Sequence, residues 1–377
     1  MVLTVDRRQV LAYRVAAHGL ARDVKDPRDL GVLDLGIQDS QFGTARLALA
    51  ARLPFVPTAA AGDPVSDETT YALLWSFRGA PHLHRRTDLP ALTAALWPLD
   101  DADAMTRLAS ARKPMAQAGI SGLEAFTAAA KAMRAVVTKA LPKGEVSAGV
   151  TAALSDAYAY ACRSCASTHV YGSIFQLVGL PAGVRHVPDR APLTLVPLEG
   201  RSRVPTKAAG TVDVVRTYLR LHGPASAAEA ASYLGTTQAK VRTVWPDDLA
   251  EVSVEGRRCW LPEEQLLLLR KASRAPYVRL LPALDPFLQS RDRDLLVPDP
   301  GQQKVLWKIL GNPGALLVDG EVAGTWRVRG TGKKRLTVTV EAFGTLSAKV
   351  RAAIDAEAAR IAQLREASDV AVSYGSG

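Results

Sequence analysis

Three short helical segments followed by a hairpin occupy residues 212–261, and no other part of the sequence narrows the choice of fold as far. The first segment repeats apolar residues at helical spacing and stops at Gly223-Pro224. Ser226 and Glu229 form a capping box at the start of the second segment, and Gly235 supplies the left-handed turn that ends it. Helix, turn, helix, turn, helix and hairpin is the order of a winged helix.

The third helical segment and the hairpin carry amide and basic side chains. In a helix-turn-helix the later helix enters the DNA major groove, where long polar side chains reach phosphates and base edges. The candidates for DNA contact on this helix and on the wing are Gln238, Lys240, Arg242, Arg257 and Arg258. Winged helices also serve as protein-interaction or spacer modules. Residues 205–262 hold seven Lys/Arg against six Asp/Glu, so their charge leaves both interpretations open.

Net charge gives the main indication of a partner. A formal charge of +10 and an isoelectric point near 9.6 favour a polyanion such as double-stranded DNA. The excess is uneven, because residues 270–340 hold thirteen Lys/Arg and six Asp/Glu, a net of +7. Most of the basic surplus therefore lies beyond the winged helix.

Cysteine content and hydropathy predict the compartment. Three cysteines, an odd number, argue against a disulfide scaffold and for a reducing environment. The charged start at residues 6–8 is unlike a signal peptide, and no uncharged apolar stretch is long enough to span a bilayer. We therefore expect a cytoplasmic, nucleoid-associated protein that does not contact membranes.

Length and pattern predict an α+β fold that is mostly helical, with about two to four domains. Helical runs, among them residues 67–76 and 156–178, recur with short strands up to residue 260, and strand-like segments then follow. We expect tandem winged-helix modules, a small C-terminal β-barrel or curled sheet, and a terminal helix. The expected modules are residues 1–100, 101–204 and 205–262, followed by a β-barrel-like domain over 263–368 and a disordered tail over 369–377.

Several passages are similar to one known family. The clearest are residues 280–298 and 318–326, and the segments 35–38, 75–82 and 162–169 agree as well. They resemble the winged-helix DNA glycosylase family, the AlkZ-like group, whose bacterial members remove alkylated purines. The resemblance implies three tandem winged helices that curl around DNA, together with a small β-barrel.

Catalysis in that family is associated with a Gln-x-Gln or Gln-x-Asp motif. Gln38 matches the first position, whereas Ser40 stands at the third and Asp39 lies between them. The resemblance implies that Gln38 or Asp39 positions the attacking water, with Ser40 in support. Two alternatives stay open: a branch of the family without activity, or a helix N-cap cluster ahead of Thr44, because Asp and Ser suit caps and turns.

The chemistry of base removal explains why such a small motif would suffice. Hydrolysis of an N-glycosidic bond builds an oxocarbenium-like centre on the sugar, and a nearby carboxylate or amide oxygen can stabilise that charge and hold a water. An N7-alkylated purine already carries positive charge and leaves easily. We therefore predict a monofunctional glycosylase without a cofactor.

Two further motifs are weighed against structural roles. Arg78 could contact a phosphate, and His82 could contact a phosphate or a base edge. The structural alternative is a strand-edge arginine and a histidine in a turn. For His84 we expect the turn role. Cys162, Cys165 and His169 offer three zinc ligands of the four that a structural site needs. Because the surrounding sequence favours a helix, we expect these residues to pack, and no metal is predicted.

The most basic element is a predicted hairpin near the C-terminus. Its alternation places Trp326 and Val328 on the same side as the apolar residues of the returning strand. The basic residues at its tip are Arg327, Arg329, Lys333, Lys334 and Arg335. Such a concentration of charge favours contact with a phosphate track over a solvated turn.

Two functions follow from these patterns. The first is a monomeric DNA-repair glycosylase that acts on alkylated, possibly crosslinked, purines in duplex DNA. The second is a winged-helix regulator without chemistry, which would normally dimerise to read two half-sites.

Overall fold

Short helices and strands alternate along the chain, as its frequent turn signals predict. The structure, a computed structural model, describes residues 2–40, 43–273, 275–330 and 334–375. The helices, in chain order, are α1 (Arg7–Ala17), α2 (Thr44–Ala50), α3 (Leu89–Ala95), α4 (Asp101–Arg107), α5 (Arg112–Gln117), α6 (Gly122–Val136), α7 (Lys143–Ala152), α8 (Gly172–Leu177), α9 (Gly179–Ala182), α10 (Thr211–His222), α11 (Ala227–Leu234), α12 (Gln238–Arg242), α13 (Leu266–Lys271), α14 (Arg293–Leu296), α15 (Pro300–Leu306) and α16 (Ala348–Leu364). The strands are β1 (Leu3–Val5), β2 (Ile37–Gln38), β3 (Tyr71–Trp75), β4 (Pro81–Arg85), β5 (Leu141–Pro142), β6 (Ala159–Cys162), β7 (Ser167–Val170), β8 (Val184–His186), β9 (Thr194–Pro197), β10 (Leu249–Val254), β11 (Arg257–Pro262), β12 (Val278–Leu281), β13 (Gly314–Val318), β14 (Glu321–Arg329), β15 (Arg335–Ala342) and β16 (Asp369–Tyr374).

Polar side chains cap the N-termini of several of these helices. The Asp6 carboxylate accepts a hydrogen bond of 2.8 Å from the backbone N–H of Gln9 at the start of α1. At the start of α11, the Glu229 carboxylate accepts from the N–H of Ser226 at 2.7 Å, and the Ser226 hydroxyl accepts from the N–H of Glu229 at 3.3 Å. The predicted capping box is therefore confirmed.

The chain forms two compact units, which are described separately. Unit 1 comprises Met1–Asp67, Thr217–Glu229 and Asp247–Gly377, and unit 2 comprises Glu68–Arg216 and Ala230–Pro246. The elements α10, α11, α12, β10 and β11 follow one another in the predicted winged-helix order, and β1 adds to β10 in parallel. The module boundaries expected from the sequence stay predictions.

A five-stranded curled sheet lies in the C-terminal part of unit 1, in the strand order β12-β13-β14-β15-β16. Helix α16 packs against it through Ile354, Ala358 and Ile361, which share a core with Trp326 and Val338. The α+β fold class, the curled C-terminal sheet and the terminal helix are confirmed.

Part of the tail that was expected to be disordered over 369–377 instead forms strand β16, and residues 376 and 377 lie outside the described residues. This strand runs parallel to β15, with Asp369 opposite Arg335 and Tyr374 opposite Val340. Val370, Val372 and Tyr374 pack partly buried against the core of α16 and the sheet. Their alternation is that of a strand, and the small residues at the C-terminus obscured it.

Two buried ion pairs lie inside unit 1. Arg14 on α1 makes a bidentate contact with Asp292 at 2.6 and 3.0 Å, and Arg52 after α2 makes one with Asp285 at 2.7 and 2.8 Å. All four side chains are fully enclosed. The passage 280–298, which carries the family resemblance, therefore has a structural role, because it supplies the acidic partner of both pairs.

Two segments of unit 2 that were expected to be helical contain strands instead. Residues 67–76 contain strand β3, which pairs antiparallel with β4. All five β3 residues are buried, and a continuous apolar run cannot be assigned to helix or strand by periodicity. Residues 156–178 form the antiparallel hairpin β6–β7 before α8 begins.

The remaining core of unit 2 is mainly helical. Helix α6 buries Phe126, Ala130 and Met133 in a cluster that also holds Trp97. Within the part of the chain that the structure describes, no helix combines the length and the hydropathy needed to cross a bilayer.

Candidate functional site

Gln38 is the last residue of β2, and Asp39 and Ser40 follow it ahead of α2. The backbone reverses at Gly43, whose φ of +67° is readily adopted by glycine, and α2 begins at the next residue. The Asp39 Oδ1 atom accepts hydrogen bonds from the N–H of Ala45 at 2.8 Å and from the hydroxyl of Thr44 at 3.4 Å. Asp39 therefore accepts a hydrogen bond from a backbone N–H that has no partner within α2, as the capping alternative predicts.

A cap and a catalytic carboxylate are compatible at this position. Burial raises the pKa of Asp39, while hydrogen bonds from the N–H groups of Ala45 and Ser40 and the charge of Arg46 oppose that rise. A carboxylate with a raised pKa is a better proton acceptor near neutral pH. The hydrogen bonds fix the carboxylate in place, which is what water positioning requires.

The side chain of Gln38 is half-buried. Its backbone carbonyl accepts from the Thr44 hydroxyl at 3.2 Å. Among the described residues, no hydrogen bond engages its side-chain amide. An amide with one oxygen acceptor and two N–H donors can hold both a water and a substrate atom.

Arg78 contacts Tyr233, which belongs to the same unit. The Arg78 backbone is left-handed, with a φ of +55°. The guanidinium donates to the carbonyl oxygen of Tyr233 and lies 4.9 Å from the centre of that ring. A phosphate contact by Arg78 would compete with these interactions.

The structure does not support the predicted DNA contact by His82. His82 and His84 are both buried on β4, and the Ser76 hydroxyl lies 3.0 Å from Nδ1 of His82 and 2.9 Å from Nε2 of His84. Burial lowers the pKa of His82 well below its usual value and that of His84 to about 4. Both imidazoles are therefore neutral core groups on a strand, and the expectation that His84 lies in a turn is wrong.

The winged-helix candidates divide by exposure. Gln238 and Arg242 are exposed on α12, whereas Lys240 is half-buried and pairs with Asp100. On the wing, Arg257 lies 3.2 Å from the carboxylate of Glu229.

Arg258 also has an acidic partner on the wing. It lies 2.6 Å from the Glu251 carboxylate and 5.2 Å from the centre of the Trp260 ring. Exposed pairs of this kind contribute little free energy, so phosphates can displace them.

The basic hairpin β14–β15 has the alternation that the sequence predicts. Trp326, Val328 and Val338 face the core, while Arg327 and Arg329 are exposed on the other side. Their neighbours include exposed Lys334, and Arg335, whose Nε lies 3.1 Å from the Asp369 carboxylate. Lys333 lies outside the described residues.

An apolar loop beside this hairpin was missed from the sequence. Ile309 and Leu310, between α15 and β13, are 101% and 86% exposed. Arg327 donates a 2.6 Å hydrogen bond to the carbonyl oxygen of Gly311, which ties the loop to the hairpin. The available signal was two large apolar residues between Lys308 and the turn residues Gly-Asn-Pro.

The hairpin β6–β7 brings Cys162, Cys165 and His169 together, with their ligand atoms all within 4.8 Å of one another. A hydrogen bond from Ser164 lowers the pKa of the Cys162 thiol to about 7. The expectation that these residues pack in a helix is therefore wrong, because the segment is a hairpin with an exposed turn.

Comparisons with known proteins identify the family and the fold. The family described as DNA glycosylase AlkZ-like matches residues 28–364. Comparison with curated protein sequences returns no match. Among solved structures, the Streptomyces sahachiroi DNA glycosylase AlkZ is similar, with a TM-score of 0.73 and 19% sequence identity over 99% of this chain and 100% of that one. The family match spans both units and favours a DNA-repair glycosylase over a regulator, and the chain belongs to the AlkZ-like DNA glycosylase family.

Proposed function

We propose that the protein is a monofunctional glycosylase that hydrolyses the N-glycosidic bond of alkylated purines in duplex DNA, with Gln38 and Asp39 at its active site. The observation that carries the proposal is Gln38, a half-buried residue whose side-chain amide has no hydrogen bond to the described residues. It precedes Asp39, whose carboxylate is fixed at the start of α2. Ser40 supports Asp39 through a backbone hydrogen bond.

The proposed reaction needs no external reagent but water. The bond between C1′ and the purine nitrogen breaks, and its electron pair leaves with the base. An N7-alkylated purine leaves as a neutral molecule because it began with a positive charge. Asp39 or the Gln38 amide oxygen holds the water whose oxygen bonds to C1′, and Asp39 accepts the released proton.

The test is release of N7-methylguanine from duplex DNA by the wild type, Gln38→Ala and Asp39→Asn. Asparagine keeps an oxygen acceptor for the N–H of Ala45 while it removes the negative charge, so the fold is expected to survive. We expect each variant to lose about 100-fold or more in base release, the size of an acid–base contribution, with DNA affinity unchanged.

The matched control is Asp26→Asn. Asp26 is another acidic cap in unit 1, and it accepts from the N–H of Arg28 at 2.9 Å. This variant should keep the wild-type rate. Normal base release by both Gln38→Ala and Asp39→Asn would end the assignment of these residues without affecting family membership.

For DNA binding, the proposed surface joins the basic hairpin to the apolar loop. Arg327, Arg329 and the lysines at the tip contact phosphates, while Ile309 and Leu310 enter the minor groove between base steps. Architectural DNA-binding proteins insert apolar side chains in this way to bend the duplex. The exposure of two large apolar side chains beside concentrated positive charge supports this assignment.

Further candidate contacts are Arg78, Gln238, Lys240, Arg242, Arg257 and Arg258. Gln238 and Arg242 are exposed and ready to reach DNA, whereas Lys240 and the wing arginines exchange an acidic partner for phosphate. Arg78 has to leave the Tyr233 carbonyl. The protein acts as a monomer at the nucleoid.

A further inference from the structure

The turn of the hairpin β6–β7 is exposed and has little packing around it. The strands are four residues each, and two-stranded hairpins of this size are marginally stable in water. Tyr160 stacks on Tyr171 at 5.1 Å, and Val170 is buried, but the other residues of the strands and the turn 163–166 are partly or fully exposed. A bound ion at the exposed turn would add stability there.

The register of the hairpin places potential metal ligands on one face. Tyr160 is opposite His169, and Cys162 is opposite Ser167. Because side chains alternate between the two faces of a strand, these four residues lie on the same side. The turn then returns Cys165 towards this face, with a left-handed backbone at Ala166, whose φ is +50°.

The ligand atoms have nearly the spacing of a zinc site. The two Sγ atoms and a ring nitrogen of His169 all lie within 4.8 Å of one another. Tetrahedral zinc, with Zn–S near 2.3 Å and Zn–N near 2.0 Å, holds such atoms about 3.5–3.8 Å apart. A contraction of about 1 Å is within the reach of side-chain rotations at exposed positions.

Two hydroxyl groups lie beside the ligand atoms and can orient them. Ser164 Oγ lies 3.1 Å from the Cys162 sulfur and 3.8 Å from the Cys165 sulfur, and Ser167 Oγ lies 3.2 Å from Nε2 of His169. Hydrogen bonds of this kind to thiolate and imidazole ligands tune metal sites. Within the described residues, no fourth His, Cys, Asp or Glu joins the cluster.

We propose that Cys162, Cys165 and His169 bind one zinc ion that fastens the turn of the hairpin, with a solvent oxygen as the fourth ligand. Two thiolates and one imidazole suit zinc. Both thiols release their protons when the ion binds. This assignment is independent of the proposed DNA chemistry.

The test uses full-length protein, purified under reducing conditions and freed of metal. Cobalt(II) is the spectroscopic probe, because thiolate-to-cobalt charge transfer and intense visible bands identify a tetrahedral site. We expect saturation at one cobalt per chain, displacement by one zinc per chain, and zinc in the protein as isolated. If the wild type shows none of these bands on cobalt titration and contains no zinc as isolated, the proposal is overturned without any variant.

Variants then assign the ligands. Cys162→Ser and Cys165→Ser each remove a direct ligand, so each should weaken zinc binding by more than the roughly 10–100-fold that loss of an outer-shell partner costs. His169→Cys should retain the site and add a third thiolate to the charge-transfer band. Cys259→Ser is the control, because this thiol is buried in unit 1. Zinc binding that Cys162→Ser and Cys165→Ser leave unchanged would show an adventitious ion only and refute the site.

Discussion

Asp292 and Arg14 form a buried pair in which each charge depends on the other. Their side chains are each 1% exposed, and Ser290 donates a further hydrogen bond to the carboxylate. Replacing a buried pair by apolar groups can be neutral, but removing one member leaves an unpaired charge in the interior. The pair therefore makes the folded state sensitive to loss of either partner.

We predict that Asp292→Ala lowers the free energy of unfolding by about 3–5 kcal/mol, the usual cost of an orphaned buried charge. Denaturant unfolding followed by circular dichroism measures this. Asp294→Ala is the control: that carboxylate is exposed and accepts one hydrogen bond from Gln303, so its loss should cost about 0.5 kcal/mol or less. Equal stability of the two variants would contradict the assignment.

His84 makes stability depend on pH in a defined window. Burial lowers its folded-state pKa to about 4, a fall that Asp88 opposes, while the unfolded chain has a pKa near 6.5. The unfolded state therefore binds more protons between these values, and stability falls as pH falls from about 6.5 to 4.

We predict that His84→Gln flattens this part of the stability–pH curve. Unfolding free energies at pH 4.5 and 7.5 in the wild type and the variant measure the change. Above about pH 7 His84 is neutral in both the folded and the unfolded state. The stability–pH curves of the wild type and the variant should therefore run parallel there. An unchanged acid slope in the variant would show that His84 does not contribute.

At the scale of elements, the proposed DNA surface combines the hairpin β14–β15 and the adjoining loop, which would make two kinds of contact. The hairpin presents charge, which attracts any phosphate backbone and weakens with salt. The loop presents Ile309 and Leu310, whose contribution does not depend on counterions. The two elements can therefore be separated by experiment.

We predict that Arg329→Glu/Lys334→Glu weakens duplex affinity about tenfold or more and reduces the salt slope by about 2, one for each phosphate that is no longer neutralised. Ile309→Ser/Leu310→Ser should weaken affinity with the slope unchanged. Fluorescence anisotropy over a salt series measures both. Lys113→Glu/Lys131→Glu, exposed on α5 and α6, controls for net charge. If that control matches the hairpin variant, the hairpin has no special role.

At the scale of the whole molecule, the proposed mechanism requires only one chain. A regulator would pair to read symmetric half-sites, whereas a glycosylase can act alone on one damaged base. We predict a native mass of 40.2 kDa for the free protein and one chain per duplex in the complex. Native mass spectrometry decides this, and a stable dimer would refute the monomer.

The sequence alone determined those features that depend on neighbours in the chain. The capping box at Ser226 and Glu229, the start of α2 at Thr44, and the alternation along β14 and β15 were all predicted, because caps and periodicity are local. The resemblance of residues 280–298 and of the segment around Gln38 likewise pointed to the family that the match over 28–364 confirms.

Tertiary structure decided the features that depend on distant partners. The periodicity of a buried run such as β3 cannot distinguish helix from strand, and nothing near His82 in the chain indicates that its ring is enclosed. The sequence around Asp292 gives no sign that this carboxylate is buried, because its partner Arg14 lies 278 residues away in the chain. A residue type shows what a group can do, but burial and long-range contacts select among those roles, because desolvation and pairing set the free energy of each charge.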